Sequence, residues 1–193
     1  FKPDSKLEML DNIKDRTEIL ITINANDIEF NKIRGDSGIS YETESIRLKQ
    51  SFEQKGFFVS SIIITQFNYQ EKAMRFEKYL DNLSINHYRT YDIKGYPNDI
   101  SHILSDEGFG KNDYVKTQRE LVVVTGPGPG SGKMATCLSQ MYLDNENGKR
   151  SSYAKFETFP IWNLGLMHPV NIAYEAATAN LNDVNMIDPY HLE

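Results

Sequence analysis

Residues 121–133 read LVVVTGPGPGSGK, and this stretch decides how the rest of the chain is interpreted. Its first four residues are apolar, and Val122 to Thr125 are all β-branched, which predicts a buried strand over 121–125. Four glycines and two prolines then fall within seven residues, and a helix is predicted over 133–143. A strand, a glycine-rich loop and a helix in this order are the local setting in which proteins commonly bind phosphate groups.

The glycine-rich loop predicts an anion site. Alternating glycines let the backbone turn several N–H groups into one concavity, and the helix behind it adds free N–H groups and a positive dipole end. We predict that a di- or triphosphate is held by Gly126, Gly128, Gly130, Ser131, Gly132 and Lys133. The alternative is a proline-stiffened turn that only ends the strand.

The segment PGSGK at 129–133 resembles the phosphate-binding loop of nucleotide kinases and other P-loop proteins. The sequence departs from that motif at two positions. Pro127 stands where the first glycine is expected, and Met134 replaces the hydroxyl residue that holds Mg²⁺. The resemblance implies a nucleotide such as ATP with Mg²⁺, and the metal would then be held mainly by phosphates and waters.

Hydrophobic patterning indicates an α/β fold. The sequence predicts helices over 6–16, 44–55, 71–83, 133–143 and 171–179, and strands over 18–23, 57–65, 87–92, 121–125 and 154–159. This alternation favours a mostly parallel sheet with helices on both faces, in a P-loop-like or Rossmann-like three-layer arrangement. We divide the chain into a first α/β portion, 1–93, and a second portion, 94–193, that carries the glycine-rich loop.

Four further residues are candidates for the same site. Asp106 and Glu107 could position Mg²⁺ or act as a base beside Lys133, which would neutralise developing charge. Lys94 follows a predicted strand at the edge where ligand contacts gather, and the guanidinium of Arg34 suits phosphate. The alternatives are a solvated turn for the two carboxylates, an exposed lysine, and a surface ion pair for Arg34.

Composition restricts the class of partner. The net charge of −6 argues against general nucleic-acid binding, and no apolar run approaches the roughly 20 residues of a membrane span. The single cysteine fits a reducing cytoplasm. The four histidines are scattered without a His-Glu-x-x-His motif, so zinc is not supported. We expect a small phosphorylated ligand as partner, and a homo-oligomer is compatible with the sequence.

The chain is also similar to the N-terminal half of a bacterial family of unknown function. The segments that carry the resemblance are 23–29 (INANDIE), 93–97 (IKGYP), 105–108 (SDEG), 126–137, 153–164 and 168–191. Members are considerably longer cytosolic proteins, and some bear the label ATP-dependent zinc protease. The resemblance implies a cytoplasmic bacterial protein of which 1–193 is a fragment, and it brings no known reaction.

Three functions follow from these observations. The leading interpretation is binding of a nucleotide, with phosphoryl transfer or hydrolysis as the reaction. The second keeps the anion site but assigns it to a phosphorylated metabolite or coenzyme, without nucleoside triphosphate hydrolysis. The third is a non-catalytic assembly or regulatory module in which the loop has only a structural role.

Overall fold

Four parallel strands form the sheet in the computed structural model, which describes residues 11–154. They are β1 (Thr17–Asn24), β2 (Phe58–Phe67), β3 (His87–Tyr91) and β4 (Leu121–Thr125), in the order β3-β2-β1-β4. Every neighbouring pair is parallel, which confirms the predicted α/β class. The predicted helix 171–179 lies outside the described residues, as do residues 6–10 of the predicted helix 6–16 and residues 155–159 of the predicted strand 154–159. The described end of the predicted helix 6–16 is a 3₁₀ turn at Lys14–Arg16.

Five α-helices lie entirely within residues 11–154. They are α1 (Ala25–Glu29), α2 (Tyr41–Gln54), α3 (Glu71–Asn82), α4 (Ile100–Ile103) and α5 (Lys133–Glu146), with 3₁₀ turns at Lys14–Arg16 and Phe109–Lys111. Helix α2 begins three residues before its predicted start because the Ser40 hydroxyl caps it and accepts the Thr43 N–H. The short helices α1 and α4 were not predicted.

One face of the sheet carries the main hydrophobic core. Strand β1 is buried along its whole length, as expected for a parallel strand covered on both faces. Its alternate residues Ile19, Ile21 and Ile23 pack in one cluster with apolar side chains of α1, α2 and α3. The further members of this cluster include Ala25, Ile28, Tyr41, Phe52, Ala73, Phe76 and Leu80.

The opposite face carries a second, smaller cluster of Leu20, Ile63 and Val115. Helix α5 is fastened on this side by polar contacts. The Gln140 side chain bonds both the N–H and the carbonyl of Val115, each at 3.2 Å, and Asn112 Nδ2 donates to Ser139 Oγ at 2.8 Å. Helices therefore lie on both faces of the sheet, as predicted.

The strand order reverses between β1 and β4. From β1 the chain proceeds to β2 and β3 on one side, and it then returns to place β4 on the other side of β1. Strand β4, from the second predicted portion of the chain, thereby pairs with β1 from the first. In open parallel sheets ligands bind outside the carboxyl ends of the strands at such a reversal, and the loop 126–132 leaves β4 at this point.

Candidate functional site

The glycine-rich loop 126–132 lies against side chains from other elements. Gly132 has φ 86°, and a Cβ there would lie 2.6 Å from Thr65 Oγ1 at the end of β2. At Gly128 a Cβ would lie 2.5 Å from the hydroxyl of the buried Tyr41. Side chains at these two positions would collide with the neighbouring elements, so the glycines allow the loop to approach the sheet closely.

Three side chains from outside the loop and α5 donate hydrogen bonds to carbonyl groups of the loop. Thr65 Oγ1 donates to Ser131 O at 3.0 Å, and Asn24 Nδ2 donates to Gly130 O at 3.2 Å. Arg34 Nη1 donates to Pro127 O, also at 3.2 Å. These bonds connect the loop to β1, to β2 and to the segment after α1. In each of them the loop contributes a carbonyl oxygen, so none of them uses a backbone N–H group of the loop.

Four backbone N–H groups of the loop have no acceptor in the part of the chain that the structure describes. Those of Gly128, Gly130, Ser131 and Gly132 donate to no group of residues 11–154. Pro127 and Pro129 have no N–H group to satisfy. A short loop in which several backbone N–H groups are available can form an anion-binding nest, that is, a concave site where these groups donate to one anion.

The ammonium group of Lys133 lies over the same loop. Its Nζ donates to Gly128 O at 2.9 Å and to Ser131 Oγ at 3.1 Å. Lys133 is also the first residue of α5, whose first turn contains no acidic residue. The lysine charge and the positive end of the helix dipole therefore act at one place without a carboxylate of that turn to offset them.

Arg34 contacts the loop, but most of its donors are already engaged within the protein. Its Nε donates to Asp36 Oδ1 at 2.9 Å, and Nη2 donates to the second oxygen of the same carboxylate. Nη1 donates to the fully buried Glu44 at 2.8 Å as well as to Pro127 O. Four of its five N–H groups donate to these acceptors within the described residues, which leaves one for a ligand. The main contribution of Arg34 is therefore to hold the loop in position through Pro127 O.

The other predicted residues lie away from the loop. Lys94 follows β3, which lies three strand spacings of about 4.8 Å each from β4. Burial raises the pKa of Tyr142, and the charges of Glu146 and Asp106 add to this rise, so Asp106 lies near a residue about 14 Å along α5 from Lys133. Glu107 is exposed. Within residues 11–154, no hydrogen bond or ion pair joins Lys94, Asp106 or Glu107 to the loop.

The start of α5 differs from a P-loop helix at Met134. This side chain, at the position of the usual magnesium ligand, is half-exposed. The nearest downstream hydroxyl, Thr136 Oγ1, is buried without a hydrogen-bond partner in the described residues. Cys137 is partly buried, and burial raises the pKa of its thiol, which makes it a packing residue at neutral pH. In residues 11–154 no group of three metal-ligating side chains occurs.

Sequence reasoning missed the residues that shape the loop from outside. Asn24 ends β1, and Thr65 pairs with it near the end of β2. The carboxyl ends of parallel strands share one edge of a sheet, so the positions of these two residues contained a usable signal. No comparable signal identified Tyr41, because its contact with Gly128 depends on how α2 packs against β1.

The chain is similar in sequence to known proteins of one family. A family model described as "Domain of unknown function DUF1846, N-terminal" matches residues 1–193. A UPF0371 protein of Streptococcus uberis is 62% identical over 193 residues, and one of Streptococcus equi subsp. zooepidemicus is 61% identical. The chain is covered completely, but it spans only 39% of the length of these relatives. Among the described residues, no helix has the length and apolarity needed to cross a bilayer.

Proposed function

Since the chain belongs to the DUF1846 family, we propose from its geometry that the loop 126–132 binds a phosphate-bearing ligand. The bound group would lie at the carboxyl edge of the sheet, between β1 and β4. A nucleotide such as ATP, with Mg²⁺, is the first candidate. The reaction assigned to such a site is phosphoryl transfer or hydrolysis.

One observation carries this proposal. The N–H groups of Gly128, Gly130, Ser131 and Gly132 donate to nothing in residues 11–154, while the Lys133 ammonium lies on the same loop. A hydrogen bond to a charged group contributes about 1.5–3 kcal/mol. Phosphate oxygens are strong acceptors, so a few such bonds together with the lysine charge are sufficient for micromolar affinity.

The geometry supports binding more directly than it supports hydrolysis. Lys133 is placed to neutralise charge on a phosphate, but Asp106 lies near Tyr142, well along α5. A base or metal ligand near the phosphate therefore has to come from other residues. Met134, at the position of the magnesium ligand, favours the second candidate function, which is binding of a phosphorylated metabolite or coenzyme without nucleoside triphosphate hydrolysis.

Calorimetric titration of the full chain with pyrophosphate and ATP, with and without Mg²⁺, tests the proposal. We expect Lys133→Ala to lower both affinities by about 100-fold, since it removes the only full positive charge that this proposal assigns to the ligand. Its free energy of unfolding should stay within about 1 kcal/mol of the wild-type value, because the hydrogen bonds of Lys133 Nζ to Gly128 O and Ser131 Oγ have neutral acceptors and the side chain is only partly buried.

The matched control is Lys78→Ala, an exposed lysine of α3, which should leave both affinities unchanged. Failure of the wild-type protein to bind pyrophosphate, ATP or any phosphorylated metabolite would overturn the proposal and favour a structural loop. Unchanged affinity in Lys133→Ala would overturn it too. ATP binding that needs no Mg²⁺, together with absence of hydrolysis, would select the second candidate function.

A further inference from the structure

Four side-chain amides form a hydrogen-bonded cluster at the carboxyl ends of β1 and β2, on Asn24, Asn26, Gln66 and Gln70. Two backbone N–H groups fix its orientation. The N–H of Asn26 donates to Asn24 Oδ1 at 2.8 Å, and the N–H of Asn68 donates to Gln70 Oε1 at 2.7 Å. Because a backbone N–H can only donate, both acceptor atoms must be oxygens.

The remaining bonds then follow in one direction. Gln70 Nε2 donates to Asn26 Oδ1 at 2.9 Å, which makes Asn26 Nδ2 a donor toward Gln66 Oε1. Asn24 Nδ2 donates to the same Gln66 oxygen at 2.9 Å. Two donors thus meet on Gln66 Oε1, so its other amide atom must be the nitrogen and must point away from them.

Gln66 Nε2 is consequently the one amide nitrogen of the four that donates to nothing in residues 11–154. Gln66 is exposed, and its backbone is left-handed with φ 51°. A long side chain in that conformation is uncommon, and residues held this way cluster at functional sites. The cluster therefore presents two oriented N–H donors to solvent at the edge of the sheet that carries the loop.

The same cluster touches the glycine-rich loop. Asn24 Nδ2 donates both to Gln66 Oε1 and to Gly130 O, so two hydrogen bonds through one nitrogen join Gln66 to the loop. A group attached to a phosphate on the loop would pass beside Gln66. The donor is neutral, which suits an uncharged acceptor better than a second phosphate.

Resting on the phosphate site proposed above, we infer that Gln66 is a specificity residue that donates from Nε2 to a sugar oxygen of the bound ligand. Hydroxyl and ring oxygens are neutral acceptors, and in both sugar phosphates and nucleotides they lie next to the phosphate group. The ligand class is therefore a phosphorylated sugar, either free or as part of a nucleotide. Gln66 would distinguish such ligands from inorganic phosphates, which need only the loop.

Titration of the full chain with pyrophosphate, ribose 5-phosphate and ATP tests this assignment. Gln66→Met keeps the length of the side chain and removes the amide, and Gln66→Glu keeps an oxygen for Asn24 and Asn26 while removing the donors. We expect Gln66→Met to lower the affinities for ribose 5-phosphate and ATP about tenfold, which corresponds to one lost hydrogen bond. The affinity for pyrophosphate should stay within about twofold of the wild-type value. Gln66→Glu should weaken both sugar ligands at least as much.

The control Gln50→Met makes the same change on the exposed side of α2, and it should alter none of the three affinities. Three results for Gln66→Met would each overturn the sugar assignment. They are an equal loss of affinity for pyrophosphate, unchanged affinity for both sugar ligands, and a loss of affinity for ATP alone. In these outcomes the wild-type protein still binds pyrophosphate, so the phosphate site survives. Absence of pyrophosphate binding by the wild-type protein overturns the phosphate site and the sugar contact together.

Discussion

Backbone N–H groups just before β4 are hydrogen-bonded to a carboxylate of the protein, whereas in the described residues those just after β4 are not. Before the strand, the N–H groups of Gln118 and Arg119 donate to Glu18 Oε2 at 2.6 and 3.1 Å, and Glu18 is fully buried in β1. After the strand, the N–H groups of the loop 126–132 find no such carboxylate in the described residues. Within residues 11–154, a carboxylate of the protein accepts from N–H groups at the amino end of β4, and none does so at the carboxyl end.

The amino end of β4 is closed by further contacts of Arg119. Its Nη1 donates to the carbonyls of Lys14 and Thr17 at 2.6 and 2.8 Å, and its guanidinium lies 4.9 Å from the ring centre of Phe58. Every strong donor named at this end is therefore bonded within the chain. This end stabilises the fold, whereas the carboxyl end keeps donors that an external anion can use.

Removing the internal anion should give the largest effect. We expect Glu18→Ala to lower the free energy of unfolding by about 3 kcal/mol, because two charge-assisted hydrogen bonds are lost and the N–H groups of Gln118 and Arg119 are left without this acceptor in a partly buried place. Urea denaturation measures this change. The control Glu120→Ala removes an exposed ion pair with Arg16 and should cost under about 1 kcal/mol. Equal costs for the two variants would contradict the contrast between the two ends of β4.

Two alanine substitutions should separate strain from contact within the loop. Gly130 and Gly132 both have left-handed φ, 75° and 86°, but only at Gly132 would a Cβ meet Thr65. We expect Gly130→Ala to cost about 1 kcal/mol of unfolding free energy from the backbone conformation alone. Gly132→Ala should cost at least about 1 kcal/mol more, since Thr65 belongs to β2 and cannot yield freely. Similar costs in urea denaturation would show that the loop is not pressed against β2.

Restoring a hydroxyl at the start of α5 should give the smallest change in stability. We expect Met134→Thr to alter the free energy of unfolding by under about 0.5 kcal/mol, because Met134 is half-exposed. Calorimetry should show that Mg²⁺ raises ATP affinity severalfold more in this variant than in the wild type, since the hydroxyl becomes a metal ligand. Met134→Leu, which adds no oxygen, should behave as the wild type. An unchanged Mg²⁺ dependence in Met134→Thr would mean that the metal does not reach α5.

The strand, loop and helix at 121–146 were predictable because local signals agree there. The β-branched run, the glycines and the helix-forming residues after Lys133 each indicate one element, and β4 has exactly the predicted bounds. The α/β class was predictable in the same way, because segments with the hydrophobic pattern of strands alternate along the chain with segments that have the pattern of helices. Helix α1 has five residues, too few for a periodic pattern to indicate it.

The assembly of the site was less predictable because it depends on contacts between distant segments. Asp106 precedes β4 in sequence, but the segment that contains it turns back along α5, as the contact of Phe109 with Tyr142 shows. Arg34 was a sound candidate by residue type, yet its engagement with Glu44 and Asp36 depends on where α2 begins. Asn24 and Gln66 meet only because β1 and β2 are neighbours in the sheet.

The two prolines of the loop have a thermodynamic consequence. Pro127 and Pro129 hold φ near about −65°, so these positions have few conformations to lose when a ligand arrives. The glycines beside them would otherwise make this segment among the costliest to order. A preorganised loop converts more of each contact into affinity, because less conformational entropy is surrendered on binding. Any molecule that binds there should therefore encounter a surface close to its final shape.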